Sequence, residues 1–367
     1  MKILIFSHEF PPQIGGAGVV AMQNARALSL IGHEITVLTR KRLNTIADGP
    51  YNIIEVPVFS KFWFLSYRKA VDFNSFDLIF LNDPASAYVA GLFFSSQIFS
   101  KSIIFLHGDT LGLVINKPKI THILSLFKPV YIKSLKRCKK LCAVSNYMKD
   151  IYISHKNLFD LQKKFFVDYA GTDLKLFFPE NDKNFKMKWH IPEDAVILLS
   201  VSRIHKRKGY YDKFCIFKDL CKEDEKLYWI IIGEGEYLDT LKALAKENSL
   251  ENRIIFTGAK RRKELRVFYS NADVFWLLSN CEDEAFGLTY IEAQACGIPV
   301  IGRNHAGVTE AISNGISGFL VDNDQQVKNI IKDKLYKKLS VSEIIAFSKK
   351  FDIEKNISTL IEKCIKV

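Results

Sequence analysis

Short apolar runs recur along this chain, each followed by a polar or glycine turn, with amphipathic stretches between them. The runs include Lys2-Ile-Leu-Ile-Phe6, Glu34-Ile-Thr-Val-Leu-Thr39, Ser102-Ile-Ile-Phe-Leu106, Val196-Ile-Leu-Leu-Ser-Val201, Leu227-Tyr-Trp-Ile-Ile-Ile232 and Arg253-Ile-Ile-Phe256. Runs that are apolar on both faces predict strands buried in a parallel sheet. Apolar positions at Val20, Ala21, Ala25, Leu28 and Leu30 predict a helix after Gly18, and Glu264-Leu-Arg-Val-Phe-Tyr269 predicts another. Strand, turn and helix in alternation predict an α/β protein whose sheets are wrapped by helices. Ala85 to Phe99 reads as one buried helix. It is too short for the ~20 apolar residues that span a bilayer. Polar residues 180–188 predict a linker, and the tail from Ser342 to Val367 carries a helical pattern.

Composition narrows this picture. A chain of 367 residues, 48% hydrophobic and 25% charged, suits two soluble domains. Met1-Lys-Ile-Leu-Ile-Phe-Ser is too short for a signal peptide and reads as a first strand. The seven cysteines contain no Cys-x-x-Cys pair, and the odd count argues against a disulfide framework, which fits a cytoplasmic protein. Cys138 and Cys142 are spaced as two packed thiols on one helix. Charge is uneven: residues 1–170 hold 21 Lys and Arg against 11 Asp and Glu, and nine basic residues with no acidic one fall between Lys117 and Lys149. Such a basic, partly amphipathic segment fits an anionic membrane surface, and equally a solvated helix face. No nucleic-acid-binding module is present, so nucleic acid is not an expected partner.

The candidate chemistry sits where the strands end. Arg203 and Lys208 follow the 196–201 run, with Gly209 next in line. Ligands of open α/β sheets bind at that end, and a guanidinium fork with a point-charge ammonium suits a diphosphate. Downstream lies Glu284-Ala-Phe-Gly-Leu-Thr-Tyr-Ile-Glu292. If Gly287 opens a helix, its first N–H groups attract an anion, and Glu292 lies deeper as an acceptor for hydroxyls. Two surface glutamates bracketing a helix would look the same. The Gly15-Gly16-Ala-Gly18 turn is not a dinucleotide fingerprint, because its spacing is wrong and the next strand ends in Arg40-Lys-Arg42 rather than an acid. Asp322-Asn-Asp324 matches a metal-binding Asp-x-Asp, yet reads better as a helix start.

The ordered set Ser202-Arg203…Lys208-Gly209, Gly233-Glu-Gly235, Phe256-Thr-Gly258, Ala272-Asp-Val274 and Glu284-x7-Glu292…Gly297-x-Pro-Val300 resembles the donor domain of GT-B glycosyltransferases, specifically the retaining, metal-independent glycosyltransferase family 4. The likeness spans nearly the whole chain. It departs at Ser202, where the family usually has glycine. Ala170-Gly-Thr-Asp173 stands for Asn-Gly-Val-Asp, and Ala306-Gly-Val-Thr-Glu310 for Gly-Gly-x-Pro-Glu.

The resemblance implies two Rossmann-like domains facing across a cleft. An acceptor domain would cover 1–175 and a nucleotide-sugar domain 176–345, with 346–367 as a helix returning to the first. It implies a UDP- or GDP-linked sugar donor, no metal and no other cofactor. Arg203, Lys208, Glu284 and His107 are the expected catalytic residues. Gly15, Gly16, Gly233, Lys260, Ala285, Phe286, Gly287, Leu288 and Glu292 are expected around the donor. Asp109 is either an acceptor contact or a turn cap. The implied acceptor is a glycan, lipid-linked at the inner face of the cytoplasmic membrane, in bacterial surface polysaccharide synthesis. A sugar-nucleotide epimerase of the same fold and a non-catalytic membrane- or glycan-binding module are the alternatives.

Overall fold

The computed structural model describes the chain except residues 13–14, 43–48, 59–61, 113–119, 121–122, 124, 156–157, 280–283 and 367. It divides into two compact units: Met1–Gly171 with Ile353–Val367, and Thr172–Asp352.

The first unit is built on a parallel sheet of seven strands in the order β3-β2-β1-β4-β5-β6-β7. The strands are β1 (Lys2–Phe6), β2 (Glu34–Arg40), β3 (Asn52–Val56), β4 (Leu78–Leu81), β5 (Ser102–Leu106), β6 (Lys140–Ala143) and β7 (Phe165–Val167). Successive side chains of a strand point to opposite faces, so β1 feeds two cores. Leu4 and Phe6 join Ala87, Tyr131 and Leu135 of the Pro84–Phe93 and Phe127–Arg137 helices. Ile3 and Ile5 join Ala21, Ala25 and Leu28 of the Gly16–Leu30 helix, and Ile357 and Leu360 of the Ile353–Ile365 helix.

The second unit holds a parallel sheet of six strands in the order β10-β9-β8-β11-β12-β13. These are β8 (Val196–Val201), β9 (Leu227–Ile232), β10 (Ile254–Phe256), β11 (Val274–Leu277), β12 (Val300–Arg303) and β13 (Gly318–Val321). Connections leave in one direction from β8 and in the other from β11. The loops after these two strands therefore diverge and open a crevice at their carboxyl ends, where ligands bind in such sheets.

Several elements differ from their sequence pattern. Ala85 to Phe99 is not one helix: the chain leaves helical geometry at Phe94, and Ser95 starts a new short helix by accepting from Ile98 N. Residues 180–188 are more than a linker, because the Phe185–Lys188 turn buries Phe185 against the ring of Phe268. The tail is divided. Val341–Ser348 packs in the second unit on the Leu288–Ala295 helix, and the helix of the first unit begins at Ile353. Cys138 follows a helix and Cys142 lies on β6; each is buried in a different core, so they are not a helical pair. Asn323 caps the Asp324–Lys332 helix through Gln326 N, and Asp324 pairs with Arg303, so Asp322-Asn-Asp324 forms a helix start.

Candidate functional site

The loops after β8 and β11 flank the crevice of the second sheet. Lys206–Lys208 forms a single 3₁₀ turn closed by Gly209, whose φ is 65°. A methyl on Gly209 would stand 1.8 Å from the carbonyl oxygen of Leu278, just beyond β11. Only glycine combines that conformation with that approach. The turn aims Lys208 at the other loop, where Nζ lies 2.6 Å from Glu284 Oε2, with the two side chains 27% and 13% exposed. Ser279 Oγ donates to the same oxygen at 3.2 Å. Among the described residues, Oε1 of Glu284 has no partner, so both its lone pairs are open to hydroxyls. Arg203 is exposed and its guanidinium makes no hydrogen bond among the described residues.

Gly233 underlies the same surface. A side chain there would strike the carbonyl oxygen of Ser202, and one at Gly235 would strike that of Ile204. The β9 loop thus lies flat under the β8 loop, joined by Ile204 N donating to Glu234 O. Ser202 bonds through its hydroxyl to Tyr210 at 2.9 Å. Gly287 opens the Leu288–Ala295 helix at φ 97°, with no side-chain cap. Ala285 and Phe286 are buried just before it, Phe286 against Phe351. Gly307 N binds Glu284 O and fixes the loop from behind. Leu288 begins the helix whose N-terminus faces the loop. Lys260 sits apart after β10, its ammonium 6.0 Å from the centre of the Trp189 ring.

Glu292 is 4% exposed and already well supplied with donors. Arg262 donates to Oε1 from both Nε (2.9 Å) and Nη2 (2.6 Å), and Tyr269 donates its hydroxyl to Oε2 at 3.0 Å. Burial, and then the Glu292 charge, push the Tyr269 phenol well above its ordinary value, so it stays a donor. Arg262 is held in turn by Thr172 Oγ1 at 3.2 Å and by the Phe177 ring, 4.9 Å away. Thr172 stands where the resembled family carries valine, and its hydroxyl is the partner that departure supplies. Neither Arg262 nor Tyr269 was singled out from sequence. The tyrosine looked like one apolar position of a helix, and Arg262 was one of several basic residues in its loop.

In the first unit, His107 follows β5. Its Nε2 is 3.1 Å from Asn82 Oδ1. The Asn82 amide nitrogen donates to Ser7 Oγ and Ala17 O, which turns Oδ1 toward the imidazole. Nε2 therefore carries the proton and Nδ1 is the acceptor. Burial lowers the imidazole pKa to about 4, so His107 is neutral at pH 7. Asp109 accepts from Gly112 N at 2.7 Å, the geometry of a turn cap. Gly15 is extended, and its missing side chain makes room for the Glu9 carboxylate; an ideal Cβ would lie 1.4 Å from Oε1. Gly16 faces open space at the start of its helix. The Glu9 carboxylate thus lies beside Gly15, one of the residues expected around the donor.

Residues 117–119, 121–122 and 124 of the basic segment lie outside the described residues. In the Phe127–Arg137 helix, Lys128, Pro129, Ile132, Lys133, Lys136 and Arg137 line a groove of about 550 Å³. Lys133 donates to Gly91 O, and Arg137 stacks on Phe99 while bonding Ser96. Lys140 is not part of this face: its ammonium caps the Ile353–Ile365 helix through Lys363 O. Among the described residues no helix is long and apolar enough to cross a membrane, and no cluster of His, Cys, Asp and Glu is placed to hold a metal ion.

The sequence profile described as "Glycosyl transferases group 1" matches residues 181–340, and that described as "Glycosyltransferase Family 4" matches residues 14–174. The N-acetyl-alpha-D-glucosaminyl L-malate synthase of Bacillus anthracis is 25% identical over 95% of this chain and 93% of its own length. The alpha-monoglucosyldiacylglycerol synthase of Streptococcus pneumoniae is 25% identical over 96% of this chain and 82% of its own. The fold matches that of HepE from Anabaena in complex with UDP-glucose, with a TM-score of 0.76 at 19% identity over 99% of both chains.

Proposed function

We propose that this chain, which belongs to glycosyltransferase family 4 and has the GT-B architecture, transfers a sugar from a nucleoside diphosphate to a lipid-linked glycan, with retention at the anomeric carbon. The observation that carries this reading is the Lys208–Glu284 pair at the crevice of the second sheet, with Glu284 Oε1 unpartnered among the described residues. Lys208 and the uncommitted Arg203 bring two positive charges to where a departing diphosphate would gather negative charge. Fixed charges aimed at a developing anion lower the barrier, because they bind the transition state more tightly than the ground state. Glu284 Oε1 accepts sugar hydroxyls while Oε2 stays with Lys208 and Ser279. The first amides of the Leu288–Ala295 helix, after Gly287, favour phosphate. Glu292 accepts from the ribose.

From the first unit, His107 is assigned to a sugar hydroxyl through Nδ1. As a neutral ring it positions rather than donates a proton. Glu284 Oε2 is held by a lysine and a serine and Oε1 is assigned to sugar hydroxyls, so the proposal gives this carboxylate no covalent role. A front-face transfer, in which the leaving phosphate takes the acceptor's proton, fits these side chains. Two cationic side chains supply the charge compensation, so no metal is invoked.

The acceptor assignment rests on the basic Phe127–Arg137 face of the first unit. Each Lys or Arg near an anionic lipid surface adds ~1 kcal/mol of attraction. The proposed setting is the inner face of the cytoplasmic membrane, in the assembly of bacterial surface polysaccharide. A panel of UDP- and GDP-sugars is to be incubated with lipid-linked glycan acceptors and the product examined by proton NMR. Transfer with the donor's anomeric configuration supports the reading; inverted product or no transfer across the panel contradicts it.

A further inference from the structure

The two carboxylates of the site differ in how many hydrogen bonds they have left to accept. A carboxylate offers about four lone-pair positions. In Glu292, both positions of Oε1 are filled by Arg262, which donates to that oxygen from Nε and from Nη2. One position of Oε2 is filled by Tyr269. Among the described residues a single acceptor position remains.

Arg262 is not placed to leave easily. Its guanidinium lies over the Phe177 ring, bonds Thr172 Oγ1, and pairs with a carboxylate whose side chain is 5% exposed. Thr172 is itself fully buried and fixed through its own N–H to Phe351 O at 2.7 Å. Displacing the arginine would leave a buried charge without its counter-ion, which is strongly unfavourable.

We infer that Arg262 is a positioning residue that sets ribose specificity: by occupying Oε1 of Glu292 it leaves one acceptor position, so the site reads one of the two ribose hydroxyls of the nucleotide and ignores the other. This rests on the assignment of Glu292 to the ribose. The same geometry gives Thr172 a part, since its hydroxyl holds the guanidinium side-on to a single oxygen.

The test is calorimetric titration of the full chain with UDP, 2′-deoxy-UDP and 3′-deoxy-UDP, and with the guanosine set, using whichever base binds. One deoxy analogue is expected to bind about tenfold more weakly than the parent, having lost a hydrogen bond to a charged acceptor, and the other within about threefold. Arg262→Lys keeps the counter-ion but replaces two donated bonds by one point contact, releasing a position on Oε1. In that variant the indifferent analogue is expected to lose about tenfold as well. The inference is overturned if both deoxy analogues weaken the wild type alike, if neither does, or if Arg262→Lys leaves the pattern unchanged. In those three outcomes the parent nucleotide still binds and the donor reading stands. If no nucleoside diphosphate binds at all, the donor reading falls and this inference with it.

Discussion

At the scale of single residues, partners decide roles. Lys208 has a carboxylate at 2.6 Å and Arg203 has none among the described residues. Both lie in the loop that follows β8 at the carboxyl end of the sheet, so each is expected to matter for turnover beyond its effect on folding. Arg203→Ala and Lys208→Ala should each reduce turnover more than ~100-fold, the scale of losing one preorganised charge-stabilising group. Steady-state rates on folded variants check this, and near-normal rates in both would remove the assignment. His107 gives a pH prediction. Its folded pKa is about 4 against 6.5 for the free side chain, so the unfolded chain binds more protons between these values. The stability it contributes is complete above pH 6.5 and is lost as the pH falls toward 4. His107→Gln should flatten the denaturation midpoint across that window; an unchanged slope would mean that the ring titrates normally. Lys213 is a third case. It is fully buried, with Nζ 3.8 Å from the centre of the Tyr210 ring and donating to Ser200 Oγ. Burial, and then Lys208, push its pKa well below the ordinary lysine value. Stability should therefore rise with pH between the folded pKa and 10.5. Lys213→Met, which removes a buried amine without opening a cavity, should raise the melting temperature at pH 7 and abolish that rise.

At the scale of elements, the strands were legible and the clamps were not. Ile3 to Phe6 and Val196 to Val201 are apolar on both faces, and that local property alone marks a central parallel strand. The turn residues were legible as glycines, and their reasons appear only in three dimensions: Gly209 is required because Leu278, far along the chain, crosses over it. Arg262, Thr172 and Glu292 were opaque for the same reason, since Arg262 finds its partners 30 and 90 residues away. The tail reads as one element in sequence because both of its helices are amphipathic, and the pattern does not say which unit each apolar face will meet. Gly209→Ala adds a methyl into the Leu278 carbonyl at φ 65°. It is expected to displace the Lys206–Lys208 turn and weaken nucleotide binding at least tenfold in a unit that still folds, read by calorimetry and circular dichroism together. Unchanged affinity would show that the turn does not position Lys208.

At the scale of the whole molecule, the charge imbalance lies in the first unit. Lys128, Lys133, Lys136 and Arg137 gather four of these charges on one face of the Phe127–Arg137 helix, whereas Lys140 holds the last helix in place. Charge reversal at Lys128, Lys133, Lys136 and Arg137 should abolish co-sedimentation with anionic vesicles at low salt while leaving nucleotide affinity unchanged. High salt should release the wild type, because exposed charges are screened over ~10 Å at 0.1 M. Equal sedimentation with neutral vesicles, or none with anionic ones, would make this face a solvated one. Lys140→Glu should instead lower stability without selectively affecting vesicle binding. Metal chelation is expected to leave transfer largely intact, and activity lost to chelator and restored by Mg²⁺ or Mn²⁺ would assign charge compensation to a metal. The measurement that bears most directly on the central claim is release of nucleoside diphosphate from the sugar nucleotide that binds best, in the presence of acceptor, by the wild type and by Lys208→Ala. Turnover by the wild type and a loss of more than ~100-fold in the variant are expected; equal rates, or no release from any sugar nucleotide, would overturn the donor assignment.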